Sequence, residues 1–329
     1  MENPVLKKKG EVMTESVEKP GDKRAKWLKI DVSCPPELVD ALANFITEIG
    51  AQGVFQEELQ SQVSSDFGIS AGREIVKAYL PFDVRLEHRI ASLKTYVESI
   101  SQLFPELEET HFSTEEVIGH DWGEEWKKYF KPLRVSRNIV IKPTWERYAP
   151  VGRDIVIDID PGMAFGTGQH PSTRMCLQAM EDILLKDRTV KGWRVLDVGT
   201  GTGILGISCA KLGAERVVCV DIDKKAAEIA RENVVINYVE DRVKVINRDV
   251  TTIHETFDLI IANLTAKILI KLRAHLLSLI ENGGYLVVSG IIDQNRRDIE
   301  SHFLAGEVSL LKDITEKEWV CYVFQKGGT

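Results

Sequence analysis

The hydrophobic pattern divides the chain into two stretches of different periodicity. Between residues 27 and 118, short runs with alternating apolar and polar positions are interleaved with two helical stretches, in the order β-α-β-β-α-β. Alternation is typical of strands that face a core on one side, and apolar spacing of three to four residues is typical of helices. This order predicts a ferredoxin-like α+β sandwich. Because the stretch contains no glycine-rich phosphate loop and no metal-spaced cluster, we expect it to bind a partner.

From about residue 138 onward, strands alternate with helices, which predicts a doubly wound parallel sheet. Seven runs are strand candidates: 194–198, 216–221, 243–247, 258–262, 284–289, 308–311 and 319–324. The connector between the last two runs is too short for a parallel crossover, so this pair must be antiparallel. A Rossmann-like α/β sheet that carries an antiparallel hairpin is unusual for dinucleotide-binding proteins. It is the arrangement of class I S-adenosylmethionine-dependent methyltransferases.

Two further segments complete the predicted organisation. Residues 1–26 contain no aromatic residue and mix lysine with glutamate, so we expect a flexible tail. Residues 119–137 include DWGEEWKKYFK, which predicts a short amphipathic linker helix or hinge that ends at Pro132. Its aromatic side chains belong either to a core or to a hinge that packs on both neighbours. The substrate-recognition domain is therefore predicted at 27–118 and the catalytic domain at 138–329.

Composition and charge narrow the functional classes. The chain has 329 residues, 43% of them hydrophobic and 28% charged, which is typical of a globular protein and excludes a disordered or membrane-embedded chain. The formal net charge of −8 argues against direct nucleic-acid binding and favours a cationic protein partner. The five cysteines form no Cys-x-x-Cys pair, so neither a disulfide framework nor a metal site is expected. No secretory signal or membrane span is apparent, which favours a cytoplasmic protein.

The most informative motif is VLDVGTGTGILG, residues 195–206, in which a strand leads into a glycine-rich turn and then a helix. Gly199, Gly201 and Gly203 allow the backbone to turn sharply and to approach a ligand. The motif also contains the Gly-x-Gly-x-x-Gly pattern of nicotinamide dinucleotide sites, which is a weak signal on its own. However, Asp197 would oppose a pyrophosphate with an unscreened negative charge. The same carboxylate would favour a cationic amino-acid ligand, as in S-adenosylmethionine.

Polar residues follow three of the predicted strands. Asp221 ends the second strand, where a carboxylate can accept hydrogen bonds from both ribose hydroxyls, while Asp223 is either the alternative ligand or a helix cap. Asp249 follows the third strand and either reaches an adenine edge or belongs to a surface turn. Asn263 ends the fourth strand, where its amide oxygen can accept a hydrogen bond from an incoming amine. The alternative for Asn263 is packing or capping at the strand end.

The segment DPGMAFGTGQHPST, residues 160–173, has no regular periodicity and predicts a lid or cradle over the cofactor. Thr173 would begin the next helix and offer its hydroxyl to the methionine part of the cofactor. His170 is a candidate general base, but a histidine near a helix start also serves as a local hydrogen-bonding group.

Four segments together resemble one family. The sequences WKKYFKP, DPGMAFGTGQHPST, LDVGTGTGILG and NLTA are similar to those of bacterial methyltransferases of large-subunit ribosomal protein eleven, and the resemblance runs from about Trp27 to the C-terminus. It implies S-adenosylmethionine as cofactor, docking of the ribosomal protein on the N-terminal domain, and a linker that lets this domain swing. It also implies that the enzyme methylates lysine side chains and the α-amine of this ribosomal protein. The family's cofactor positions correspond to Thr173, Gly199, Asp221 and Asn263.

The chain departs from related patterns at two places. Thr200-Gly201-Thr202 replaces a frequent Cys-Gly-Ser, which keeps the glycine geometry. The residues from Asn263 to Ala266 only partly match the Asn-Pro-Pro-aromatic motif of many amine methyltransferases, because the aromatic residue is missing. The aromatic side chain that stacks on the substrate must then come from elsewhere, and Phe165 in the predicted cradle is our candidate. Three alternatives remain open at this point: an RNA amine methyltransferase, an NAD-dependent oxidoreductase and a non-catalytic adaptor.

Overall fold

The computed structural model describes residues 26–35, 38–57, 73–103, 110–118, 127, 130–160, 168, 170–186, 192–304 and 306–327. The predicted tail, except its last residue, and Phe165 lie outside these ranges. Within them, no helix combines the length and apolar character needed to cross a membrane. The five cysteines are buried thiols.

The first sheet has the predicted ferredoxin-like topology. Its elements are β1 (Lys26–Cys34), α1 (Val39–Glu48), β2 (Gln52–Glu57), β3 (Glu74–Pro81), α2 (Leu86–Leu103) and β4 (His111–Ile118). The strand order is β2-β3-β1-β4 and every pair is antiparallel. The alternation in β1 decides which face is covered, because Leu28, Ile30 and Val32 are buried in the core that α1 and α2 contribute to. The ferredoxin-like prediction is therefore confirmed.

A small separate sheet follows. It consists of β5 (Leu133–Arg134), β6 (Ile139–Lys142) and β7 (Ile155–Asp158), with β5 antiparallel and β7 parallel to β6. Strands β6 and β7 are not among the seven predicted strands, and they lie outside the doubly wound sheet. These strands are four residues long, and no helix lies between them to cover a larger sheet.

The third sheet carries the predicted Rossmann-like arrangement. Its elements, with the helix that precedes it, are α3 (Pro171–Lys186), β8 (Arg194–Val198), α4 (Ile204–Lys211), β9 (Arg216–Asp221), α5 (Lys224–Ile236), β10 (Val243–Asn247), β11 (Phe257–Asn263), α6 (Ala266–Leu279), β12 (Ile280–Ile292), α7 (Arg296–Phe303), β13 (Val308–Glu316) and β14 (Trp319–Lys326). The strand order is β10-β9-β8-β11-β12-β14-β13. The first five strands are parallel, and β14 is antiparallel to both β12 and β13, as predicted.

This sheet is covered on both faces, which explains the continuous apolar runs of its central strands. In β11, Leu259 and Ile261 belong to the core that α3 and α4 line, whereas Ile260 and Ala262 belong to the core that α6 and α7 line. Polar side chains are therefore restricted to the strand ends. In parallel sheets of this kind, ligands bind outside the carboxyl ends of the strands.

Of the predicted linker, the structure describes only Lys127 and residues 130–137. Phe130 is buried in an aromatic cluster with Tyr79 and the partly buried Trp27 and Trp145. Phe130 thus contacts side chains that precede and follow the linker, which fits both the core and the hinge interpretation. The boundaries at 27–118, 119–137 and 138–329 stay predictions.

Candidate active site

The glycine-rich turn between β8 and α4 is held by hydrogen bonds from the neighbouring strand. Gly199, Gly201 and Gly203 have φ values of 68°, 55° and 83°, in the left-handed region that favours glycine. The amides of Gly199 and Thr200 donate to the carbonyl oxygen of Val220 at 2.9 and 3.1 Å. The turn is therefore fixed by the end of β9.

Asp197 lies beneath this turn and is fully buried. Its Oδ2 accepts hydrogen bonds from Thr200 Oγ1 at 2.5 Å and from the Gly206 amide at 3.0 Å, while Oδ1 is buried with no hydrogen-bond partner in the described structure. Burial raises the pKa of Asp197 to about 6, against the two hydrogen bonds, which lower it. The orphaned oxygen carries charge that a proton or a cationic ligand group would balance.

The two aspartates at the end of β9 and just beyond it have different roles. Asp221 ends the strand, and its Oδ2 accepts a hydrogen bond from the Gly201 amide at 3.0 Å. Asp223 is the N-cap of α5, and its Oδ1 accepts a hydrogen bond from the Lys225 amide at 2.9 Å. The capping interpretation of Asp223 is therefore confirmed. Asp221 is the carboxylate that borders the glycine turn.

Asp249 lies in an exposed turn after β10. Its Oδ1 accepts hydrogen bonds from the amide and the hydroxyl of Thr251, both at 2.9 Å, and it caps a single turn of 3₁₀-helix at Val250–Thr252. These hydrogen bonds lower its pKa. Asp249 therefore belongs to a surface turn, where one of its carboxylate oxygens serves the cap, and a contact of Asp249 with the adenine edge stays a prediction.

Asn263 and Thr173 meet at the carboxyl end of β11. Asn263 Nδ2 donates to Thr173 Oγ1 at 3.3 Å, and the buried Thr173 lies in the first turn of α3, as predicted. Because the amide nitrogen faces Thr173, the amide oxygen is the atom that can accept from a ligand. The structure thus brings together two residues that are 90 positions apart in sequence.

His170 lies immediately before the first residue of α3. Its Nδ1 accepts a hydrogen bond from the Ser172 amide at 3.2 Å and contacts Ser172 Oγ at 2.7 Å, and its ring meets Trp319 edge-on at 4.6 Å. Burial, with the nearby charges of Arg174 and Lys317, lowers the pKa of His170 to about 3. The side chain is neutral and hydrogen-bonded locally, which favours the non-catalytic interpretation.

Two contacts at the turn escaped the sequence reasoning. Asn233 of α5 is buried, and its Nδ2 donates to the Thr202 carbonyl at 2.8 Å. Leu264 packs over the turn, since a Cβ built on Gly199 would lie 2.5 Å from Leu264 Cδ2. Neither residue has a distinctive sequence signal, because an asparagine on a helix and a leucine after a strand are both common. The predicted stacking residue, Phe165, lies outside the described residues.

The donor set fits S-adenosylmethionine. Asp221 offers a carboxylate beside the turn, and the unpaired Oδ1 of Asp197 balances a cationic group better than a pyrophosphate. A Rossmann-like parallel sheet with an antiparallel β14 and this site define a class I S-adenosylmethionine-dependent methyltransferase.

Comparison with known proteins identifies the family. The profile of the family described as "Ribosomal protein L11 methyltransferase (PrmA)" matches residues 26–327. The chain belongs to this family and is an S-adenosylmethionine-dependent protein methyltransferase. The oxidoreductase and adaptor alternatives are thereby excluded.

Individual relatives agree. The ribosomal protein L11 methyltransferase of Pelobacter propionicus is 37% identical over 304 residues, covering 92% of this chain and 98% of that protein. The protein of the same name from Geotalea daltonii is 37% identical over 302 residues, covering 90% and 96%. The crystal structure of ribosomal protein L11 methylase from Lactobacillus delbrueckii subsp. bulgaricus is similar with a TM-score of 0.54 and 31% identity, covering 60% of this chain and 100% of that chain.

Proposed function

We propose that this protein methylates lysine side chains and the α-amine of ribosomal protein L11, with Asn263 aligning the incoming amine. The observation that carries the proposal is the placement of the Asn263 amide at the carboxyl end of β11, with its nitrogen bonded to Thr173 Oγ1 at 3.3 Å. This bond orients the amide so that its oxygen accepts from the amine and aims the nitrogen lone pair.

The cofactor would be held by residues of the turn and of the neighbouring strand ends. Asp221 would accept from the ribose hydroxyls, Asp249 would face the adenine edge, and Asp197 would balance the ammonium charge of the methionine part. The amides of Gly199 and Gly201 already donate to Val220 and to Asp221. These glycines therefore contribute the shape of the turn, through their positive φ values, and not free hydrogen-bond donors.

S-adenosylmethionine supplies a methyl group that is already activated on a sulfonium. The chain must therefore position a neutral amine, and positioning can lower the barrier by roughly 7–11 kcal/mol. A lysine amine has an ordinary pKa of about 10.4, so it must lose its proton before transfer. Because the pKa of His170 is lowered to about 3 and its Nδ1 already accepts from the Ser172 amide, His170 is a poor proton acceptor. We therefore assign it no proton transfer, and the amine loses its proton to water on desolvation.

The N-terminal ferredoxin-like domain is the proposed docking platform for L11. Its described residues contain no glycine-rich loop like the one between β8 and α4 and no group of three metal-ligating side chains, which suits a binding role. The formal net charge of −8 favours a cationic protein over a nucleic acid. A ribosomal protein substrate places the reaction in the cytoplasm.

The proposal is tested by incubating the protein with methyl-labelled S-adenosylmethionine and bacterial ribosomal proteins, then digesting with protease or with ribonuclease. We expect the label in L11 alone, sensitive to protease, and peptide mapping should locate it on lysines and the N-terminus. Label that ribonuclease removes would show an RNA amine as the acceptor and overturn the substrate assignment. Label confined to non-amine side chains would refute the role of Asn263.

A further inference from the structure

A β-bulge lies beside Asn263, on the neighbouring strand. Val288 and Ile291 are three residues apart on β12, whereas their partners on β14 are two residues apart. One extra residue is therefore accommodated on β12, at Ser289–Gly290. Bulges of this kind bend a strand locally and re-aim the groups near it.

Gly290 fits closely against the Leu264 carbonyl group and the side chain of Asn263. Its φ is 79°, and a Cβ built there would lie 2.7 Å from the Leu264 carbonyl oxygen, 3.0 Å from the carbonyl carbon and 3.1 Å from Asn263 Oδ1. Two of these atoms are backbone atoms, which cannot rotate aside as a flexible side chain does. The preceding peptide, Asn263–Leu264, is also tied to the bulge, because the Leu264 amide donates to the Ser289 carbonyl at 2.9 Å.

We infer that Gly290 is a positioning residue for methyl transfer, which holds the amide of Asn263 where the amine binds. The absence of a side chain at Gly290 lets the Leu264 carbonyl and the Asn263 side chain lie against β12, and from there Asn263 Nδ2 reaches Thr173. A side chain at Gly290 would push the Leu264 carbonyl outward and move the Asn263 amide oxygen, while Asp221 lies at the end of β9, two strands away from β11. The inference rests on the proposed role of Asn263.

The test compares Gly290→Ala with Gly283→Ala. Gly283 has nearly the same φ, 78°, but a Cβ there would meet nothing within 4 Å, so it controls for backbone strain. We expect Gly290→Ala to lower kcat for methylation of L11 on the order of 10- to 100-fold. The Kd for S-adenosylhomocysteine, measured by calorimetry, should change by less than about threefold. Gly283→Ala should keep its kcat. A loss of cofactor affinity as large as the loss of kcat would overturn the inference.

A double-mutant cycle shows whether Gly290 acts through Asn263. In the Asn263→Ala background, Gly290→Ala should cause no further loss of kcat, because the group that it positions is absent. A loss of full size in that background would refute the inference and leave the role of Asn263 intact. Full activity of Asn263→Ala alone would instead refute the proposed function.

If Gly290→Ala does not fold, Ser289→Ala carries the same test. Ser289 Oγ donates to the Val320 carbonyl at 3.3 Å and braces the bulge from β14. Its loss should lower kcat by about threefold, with the effect absent in the Asn263→Ala background. An unchanged kcat, or an effect that persists in that background, would contradict the inference.

Discussion

The two halves of the active-site edge are built in different ways. In the cofactor half, at the ends of β8 and β9, carboxylates accept hydrogen bonds from backbone amides: Asp197 from Gly206 and Asp221 from Gly201, both at 3.0 Å. In the amine half, at the ends of β11 and β12, Asn263 has one hydrogen bond to a hydroxyl and is held by backbone packing. The cofactor half is thus built by charge and hydrogen bonding, whereas the amine half, which positions the incoming amine, is built by close packing.

The largest effect is expected from Asn263→Ala. Because the change removes the acceptor that aligns the amine, turnover on L11 should fall by about 100-fold or more, while affinity for S-adenosylhomocysteine falls much less. Steady-state kinetics and calorimetry measure the two quantities. Asn295→Ala, at the start of α7 and without a side-chain cap hydrogen bond, is the control. If Asn263→Ala left both turnover and affinity unchanged, the amine half would have no positioning role, and the distinction between the two halves would be wrong.

Asp221→Ala and Asp223→Ala separate ligand binding from capping. Loss of a charged acceptor for the ribose hydroxyls should weaken S-adenosylhomocysteine binding by about 10- to 100-fold. Asp223→Ala should keep the affinity and lower the free energy of unfolding by about 1 kcal/mol, as loss of an N-cap does. Calorimetry and urea unfolding of both variants decide the matter. The reverse pattern would make Asp223 the ribose ligand.

Cofactor affinity should depend on pH through Asp197. The charged form of this carboxylate predominates above its pKa of about 6, so binding of S-adenosylhomocysteine should be about tenfold weaker at pH 5 than its plateau above pH 7. Asp197→Asn, which keeps the shape and removes the charge, should bind weakly without this pH dependence. The same dependence in both variants would assign the titration to another group.

Asp197 also makes the stability of the cofactor-free protein depend on pH. This dependence has the opposite direction, because stability falls as the pH rises whereas cofactor affinity increases. Its pKa is raised from 3.8 to about 6, so the folded protein binds more protons than the unfolded chain between these values. Stability contributed by the protonated form is therefore lost as pH rises from about 4 to about 6, by about 3 kcal/mol. Urea unfolding across this range should show the decline in the wild type and its absence in Asp197→Asn.

The smallest effect is expected at Asp249. Since one of its oxygens caps the turn through Thr251, Asp249→Ala should lower the unfolding free energy by about 1 kcal/mol and cofactor affinity by about threefold. Asp249→Ser keeps an N-cap acceptor and removes the second oxygen. If Asp249→Ser restores both quantities, Asp249 acts as a cap alone and makes no contact with the adenine.

Sequence patterns predicted the cofactor half because its signals are local. A glycine turn after an apolar strand and an acid at the end of the next strand are visible without any tertiary contact, and β9 does end at Asp221. The amine half depends on contacts between distant segments. Nothing in the sequence around Gly290 indicates that β12 contains an extra residue at this level or that Leu264 packs over Gly199. The short strands β6 and β7 were missed by the sequence patterns, since each has only four residues and its partners are set by tertiary packing.

The bonded state of the glycine turn has a consequence for repeated turnover. Its amides at Gly199, Gly201 and Gly203 already donate to Val220, Asp221 and Thr200, so the backbone needs no reordering when a nucleoside enters or leaves. An enzyme that modifies several amines of one protein must exchange spent cofactor for fresh donor after each transfer. A turn that keeps its shape allows this exchange of cofactor while Asn263 stays in place at the end of β11.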